Sequence, residues 1–503
     1  MMPLPRAFCC LFALLPFAAL RAQQPAPAVV HEDLQYAEGF AKDSRRNRLD
    51  VYVPRAATAT PPPLVLFVHG GGWTAGSKDG CGVLGHTLAM HGIAMAAINT
   101  QMFPFAKPAD MVADCGRALA WLHQNPERLG YDAQRLFLMG HSAGAHLVTW
   151  LALDDARLRA TGVPREAVRG VLALSGVYEL RPRHLVIAKV FGEDPSGRRS
   201  ASPFVHASAN DPPVWLAWGE RDMACLSLSA RMLRDRLVDL GGFAWAPALR
   251  GKSHVDYVFE FGSPADSVVP QVVEFLRGER QPIERRAKLA VDPPALLSLP
   301  RGLPCAIVRP ACTAAAAVVW VVATDAEVSQ AGSIARALAP YGVSFVTLDA
   351  SRASCEQVVA SWRALRAAAA TNGMPMPQFL GGAQRGGYLA CRAVLQPADG
   401  LRGRIVIGSA LGHRSLPMAW PGADVVDLVP HLGAETAELL LLQAEQDPAP
   451  VRDDALQLCQ QVLARRCGIH PVELSGTTIG AALAQLGTPD DLVLPLLRAF
   501  VRP

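Results

Sequence analysis

Ser142 sits between two glycines in Gly140-His141-Ser142-Ala143-Gly144, with the apolar run 135–139 before it and an apolar helix pattern over 143–153 after it. The glycines permit a sharp strand-to-helix turn, which lifts the hydroxyl clear of a sheet and aims a helix N-terminus at it. A serine held in this way is a candidate nucleophile, and it needs a base, an acid that orients the base, and donors for an oxyanion. Two later strand ends supply the first pair: Asp222 in Gly219-Glu220-Arg221-Asp222, and His254 in Gly251-Lys252-Ser253-His254. In this reading His254 takes the Ser142 proton and returns it to the leaving group, while Asp222 fixes the tautomer and stabilises the imidazolium. The donors come from His69-Gly70-Gly71-Gly72-Trp73, directly after the apolar run 64–68. Three successive glycines allow close backbone approach, so the N–H groups of Gly71, Gly72 and Ala143 are the candidate oxyanion hole.

Other polar residues near these motifs read as supports. Asp256 lies too close to His254 in sequence to be the favoured acid, and Glu220 suits the turn it sits in. His69 orients the glycine loop, His141 and His146 are satisfied polar residues, and Asp114 is a structural carboxylate on a helix. No CxxC or His/Cys cluster has metal-ligand spacing, so no metal is expected, and this chemistry needs no cofactor.

The positioning elements alternate. Runs at 49–54, 64–68, 93–99, 135–139, 171–175, 214–218 and 243–248 read as strands, and Met111, Cys115, Leu119 and Leu122 recur at helical spacing. Strands separated by helix-length segments predict an α/β fold, a mostly parallel sheet covered by helices on both faces. Residues 23–30 read as a Pro/Ala-rich spacer.

At 503 residues the chain suggests two domains. Its 48 basic and 44 acidic side chains leave a thinly spread +4, which gives no footprint for nucleic acid and points to small molecules or neutral polymers. Arg6, the apolar residues 7–20 and Leu20-Arg21-Ala22 have the form of a signal peptide over 1–22, which implies export without stable membrane insertion after cleavage. Nine of the eleven cysteines follow that segment, and Cys305/Cys312 and Cys459/Cys467 are close enough in sequence to suggest pairs.

Residues 278–304 carry five prolines and read as a linker, after which the pattern begins again. The runs 318–322 and 343–348 mirror 64–68 and 93–98, while 438–447 mirrors the strand that ends at Asp222. At a constant offset Asp222 faces Asp447, Gly251 faces Gly476, Gly262 faces Gly487, Pro264 faces Pro489 and Phe275 faces Phe500. At that offset His254 faces Ile479; further upstream, where the spacing differs, Gln384 stands at the mirrored elbow and Ala323-Thr324-Asp325-Ala326 replaces the glycine loop. Residues 305–502 therefore read as a degenerate second copy without nucleophile, base or oxyanion loop.

LDVYVP, HGGGW, GHSAGAHL, LSGVYELRP, GERD and GKSHVDYV together make residues 33–277 resemble an α/β-hydrolase of the esterase/lipase group. The stretch is similar to bacterial feruloyl-esterase-like domains and to kynurenine formamidases. Where many of those relatives carry a Tyr-Arg pair, Thr100-Gln101 stands here. The resemblance implies two α/β-hydrolase-like domains, the first catalytic, and a serine hydrolase that cleaves carboxylic esters, either small molecules or ester-decorated polysaccharides. Arylformamide cleavage by the same residues, and a non-catalytic polymer-binding or adhesion protein on tandem hydrolase folds, are the competing readings.

Overall fold

The structure, a computed structural model, describes residues 27–38, 45–56, 60–183, 185–264, 266–278 and 290–297, then 303–311, 314–369, 377–383, 403–407, 438–444, 469–474 and 493–501, with a few isolated positions between. The signal-peptide segment lies outside these residues, as do Cys312, Gln384, Asp447, Cys459, Cys467, Gly476, Ile479, Gly487 and Pro489.

The first sheet comprises β1 (Ala28–Gln35), β2 (Arg48–Pro54), β3 (Pro63–Val68), β4 (Ala94–Ile98), β5 (Asp132–His141) and β6 (Val168–Leu174), together with β8 (Val214–Gly219), β9 (Ala244–Trp245) and β10 (Ala248–Leu249). The two-residue strand β7 (Pro182–Arg183) leaves this sheet for the other one. Strand order is β1-β2-β4-β3-β5-β6-β8-β10, with β9 also paired to β8. The β1–β2 and β2–β4 pairs are antiparallel, and every pair from β4 through β10 is parallel.

Helices α1 (Gly82–Met90), α2 (Pro108–Gln124), α3 (Ala143–Leu153), α4 (Ala224–Leu240) and α5 (Val269–Leu276) cover the sheet. Alternation along β3 shows why both faces need cover. Leu64, Leu66 and Val68 join one core with Met111, Cys115 and Leu119 of α2 and Leu147 and Leu151 of α3. Val65 and Phe67 join the opposite core with Leu84 and Leu88 of α1 and Val272 and Val273 of α5. A strand buried on both sides must be apolar throughout, as this one is.

Two stretches differ from the sequence expectation. Residues 28–30, read as spacer, begin β1, where Val29 and Val30 pair with Val53 and Tyr52. The single strand expected over 243–248 is two short strands, with Pro247 between them unable to donate to a ladder.

The second sheet comprises β11 (Ala295–Leu297), β12 (Cys305–Val308), β13 (Ala316–Val322), β14 (Val343–Asp349), β15 (Phe379–Ala383), β16 (Gly403–Ile407), β17 (Glu438–Ala444) and β18 (Ile469–Leu474). Its order, β11-β12-β14-β13-β15-β16-β17-β18-β7, runs through the same sequence of crossovers as the first sheet from β11 to β18, with antiparallel pairs again at the first edge and one more where β7 joins β18 at the other. Helices α6 (Asp325–Leu338), α7 (Cys355–Ala367) and α8 (Val493–Val501) belong to this half. Strand β11 lies inside the proline-rich stretch 278–304, so the second sheet starts ahead of Cys305. Cys305 is a free thiol whose Sγ faces the Leu297 carbonyl at 3.4 Å, rather than half of the suggested pair. Among the described residues, no helix is long and apolar enough to cross a membrane.

Candidate active site

Ser142 is the single residue between β5 and α3, and its backbone is strained, with φ +53° and ψ −119°. A non-glycine residue at positive φ is costly and persists only where its neighbours hold it. Here the Ser142 amide donates to the Leu174 carbonyl at 2.8 Å, and the next turn closes where His146 N donates to the Ser142 carbonyl at 3.1 Å. Before the turn, Gly140 and His141 are still paired with β6, so the hydroxyl projects from the C-terminal end of the parallel strands.

His254 and Asp222 arrive from the next strand ends. The Ser142 hydroxyl donates to His254 Nε2 at 3.1 Å, and His254 Nδ1–H donates to Asp222 Oδ1 at 2.8 Å. The Asp222 side chain is 1% exposed against 25% for His254, so the acid is dry while the base faces the open side. Burial pushes the Asp222 carboxyl up, but hydrogen bonds from His254 and Ser175 outweigh it and hold the group below the usual carboxylate value. A buried ionised acid is the state required to orient an imidazole and stabilise its charged form.

Three supports around this chain had no distinct sequence signal. The Ser175 hydroxyl donates to Asp222 Oδ2, and the Tyr257 hydroxyl contacts the same Ser175 oxygen. Burial, and then the Asp222 charge, push the Tyr257 phenol up, so it stays protonated and able to donate. The third is His141, whose Nε2–H donates to the His254 carbonyl at 2.8 Å and so ties the base's turn to the elbow. Burial and the neighbouring His254 lower the His141 imidazole to about 4, which keeps it neutral. Ser175, like Ser142, has positive φ at the end of a strand, a property that residue type does not disclose.

The glycine loop follows β3 and touches the elbow. A Cβ on Gly70 would lie 2.7 Å from His141 Nδ1 and 3.2 Å from Ser142 Cβ, so only glycine allows this approach. Gly71 has φ +129°, and a Cβ there would stand 2.0 Å from the carbonyl oxygen of Ala75, the residue whose amide closes the loop by donating to the Gly71 carbonyl at 3.0 Å. Gly71 and Gly72 directly follow Gly70, the residue of the loop that packs against Ser142, while Ala143 opens α3, where no preceding helical turn accepts from its amide. His69 keeps the loop in shape through an Nδ1 contact with the Gly70 carbonyl at 2.8 Å.

The remaining polar residues are engaged elsewhere. Asp256 accepts from Ser253 N at 2.9 Å and from Arg221, and Glu220 accepts from Gly251 N at 2.8 Å, so both brace the turn that carries His254. Asp114 is fully buried and accepts from the Gln101 amide at 2.7 Å. His146 is buried, with Nε2 on the Ala201 carbonyl at 2.9 Å and its ring edge-on to Trp73 and Phe191. Among the described residues, no group of three His, Cys, Asp or Glu side chains could hold a metal ion.

Residues 49–237 match the family model described as BD-FAE. The chain is 29% identical over 235 residues to an isoprenylcysteine alpha-carbonyl methylesterase of Arabidopsis thaliana, covering 42% of this chain and 55% of that protein. It is 26% identical over 285 residues to esterase LipQ of Mycobacterium tuberculosis, covering 52% and 66%, and 31% identical over 151 residues to a kynurenine formamidase of Salmo salar, covering 30% and 47%. The chain thus spans about half the length of the plant methylesterases it matches. Among solved structures it is similar to esterase B from Lactobacillus Rhamnosis, at TM-score 0.43 and 20% identity over 51% of this chain and 86% of that one. In its family-model match over residues 49–237 and in these sequence relatives, the first half of the chain is similar to esterases of the α/β-hydrolase group.

Proposed function

We propose that this protein is a carboxylic ester hydrolase that works through an acyl-enzyme on Ser142. The observation that carries the reading is the unbroken hydrogen-bonded chain from Ser142 through His254 to Asp222, seated on a strained strand-to-helix turn. In acylation, Ser142 Oγ attacks the ester carbonyl carbon as His254 Nε2 takes its proton. The carbon–alkoxide bond then breaks, and the same proton passes to the departing alcohol. Water next attacks the acyl carbon, His254 takes its proton, and the acid leaves as Ser142 is reprotonated. The amides of Gly71, Gly72 and Ala143 receive the oxyanion in both halves, each contributing about 3–4 kcal/mol in sites of this kind.

The substrate class is a small ester or an ester-decorated polysaccharide, and export of the chain through its first 22 residues accords with either. The half beyond residue 304 is a non-catalytic copy: the stretch in place of the glycine loop caps a helix, with the Thr324 side chain accepting from Glu327 N at 3.2 Å. Ser142→Ala tests the reading on an aryl butyrate, where turnover is expected to fall by about 10⁴-fold or more with folding unchanged. The kynurenine formamidase relative supports a second reading, cleavage of an N-formyl aryl amide by the same residues. Direct competition between an aryl acetate and an N-formyl aniline separates the two, and a higher kcat/KM for the formamide would favour the second.

A further inference from the structure

The acid of the proposed triad is tied to the second half of the chain along two routes. The first is α4, which begins two residues after Asp222, with Met223 as its N-cap and Met223 N donating to Asp222 Oδ1 at 2.7 Å. This helix is apolar on two sides. Ala230, Leu233 and Leu237 pack into the core of the first sheet, and Leu228 and Met232 pack into that of the second, with Leu496 and Phe500 of α8. At the far end of α4, Arg498 of α8 is 8% exposed and held between two carboxylates of the helix: its Nε lies 3.3 Å from Asp235, and its guanidinium pairs with Asp239, at 2.9 Å through one arm. Tyr341 completes the cage, its ring 3.6 Å beneath the guanidinium and its hydroxyl donating to Asp239 at 3.2 Å.

The second route starts at Ser175, which donates to the other Asp222 oxygen. From there the chain passes Tyr178 and Glu179, whose amides donate to Ser229 Oγ of α4 at 2.7 and 3.3 Å. It then reaches the buried Glu179–Arg181 ion pair and enters the second sheet as β7, with Pro182 opposite Leu474 and Arg183 opposite Glu473. Both oxygens of Asp222 thus receive hydrogen bonds from segments anchored in the second half. A buried arginine caged by two carboxylates and an aromatic face resists displacement, because breaking one pair leaves an uncompensated charge.

We propose that the second half acts as a scaffold that positions Asp222, with Arg498 as the positioning residue that locks α4 in place; the proposal rests on the triad reading above. It gives a chain half without the chemistry a direct part in the geometry of catalysis. The test is made on the full chain with Arg498→Met, with Asp239→Asn as a milder disruption should the first fail to fold, and with Arg498→Lys as the conservative variant. Hydrogen exchange of residues 175–183 and 222–240 is measured beside kcat and KM on an aryl butyrate. Faster exchange in both segments is expected, with kcat lower by about ten- to a hundredfold, as small misplacements produce, KM within about twofold, and partial recovery in Arg498→Lys. Faster exchange confined to residues 493–501 would overturn the proposal, as would unchanged kcat despite faster exchange in both segments. If the unaltered chain turns over no ester, the hydrolase reading fails, and the exchange measurement still decides whether the clamp exists.

Discussion

At Ser142 and Ser175 the backbone bends to positive φ, and the two hydroxyls stand at opposite ends of one hydrogen-bonded chain. Asp222→Asn keeps the shape but not the charge, so kcat on an aryl butyrate is expected to fall by about 10⁴ with KM little changed. Ser175→Ala removes one donor to a buried carboxylate, and a fall of about tenfold in kcat is expected, in keeping with the 1.5–3 kcal/mol of a charged hydrogen bond. Steady-state kinetics on the two variants checks both. The buried imidazoles of His141 and His146 lie lowered to about 4 in the fold, chiefly through burial. Between pH 6.5 and 4 the unfolded chain binds the extra protons, so this stability is present above pH 6.5 and lost as the pH falls. Each histidine is expected to cost about 2 kcal/mol between pH 7 and 5. Urea unfolding at both pH values should show a smaller loss in His146→Phe. That Ser142, Asp222 and His254 would come together was legible from residue type, flanking glycines and chain order. Ser175, Tyr257 and His141 were not, because their roles come from contacts across the sheet ends.

The elements follow from burial more than from propensity. Strands β3 and β4, and β5 from Leu136 to Met139, are continuous apolar runs because helices cover both faces, and such runs are plain in a sequence. Strand β1 went unread, its first three residues taken as spacer, because half of its residues are exposed and no long apolar run marks it. The glycine loop makes the sharpest element-scale prediction. Gly71→Ala places a methyl group against the Ala75 carbonyl at a φ of +129°, so the loop must change shape. Loss of about 10²–10³ in kcat is expected, the scale of one oxyanion donor, with the far-ultraviolet circular dichroism unchanged. A variant with unaltered kcat would remove Gly71 and its neighbours from the oxyanion site.

Across the whole molecule, two sheets of the same strand order share α4 between their cores. The like order of the two sheets had a sequence signal in Gly262 and Phe275, which recur in kind at a fixed offset, whereas the sharing of α4 had none, since apolar residues on two sides of a helix do not say which neighbour each side meets. Joined cores predict joint unfolding: Leu228→Asp should lower the midpoints of both halves together in calorimetry, and a shift in one alone would separate them. The central claim is a single working nucleophile in a chain built from two such halves. Its most direct test is the intact mass of the purified protein after reaction with an organophosphonate, beside a Ser142→Ala control. One adduct that maps to Ser142 and vanishes in the control is the expected result; no adduct on a folded chain, or a second adduct beyond residue 304, would contradict it.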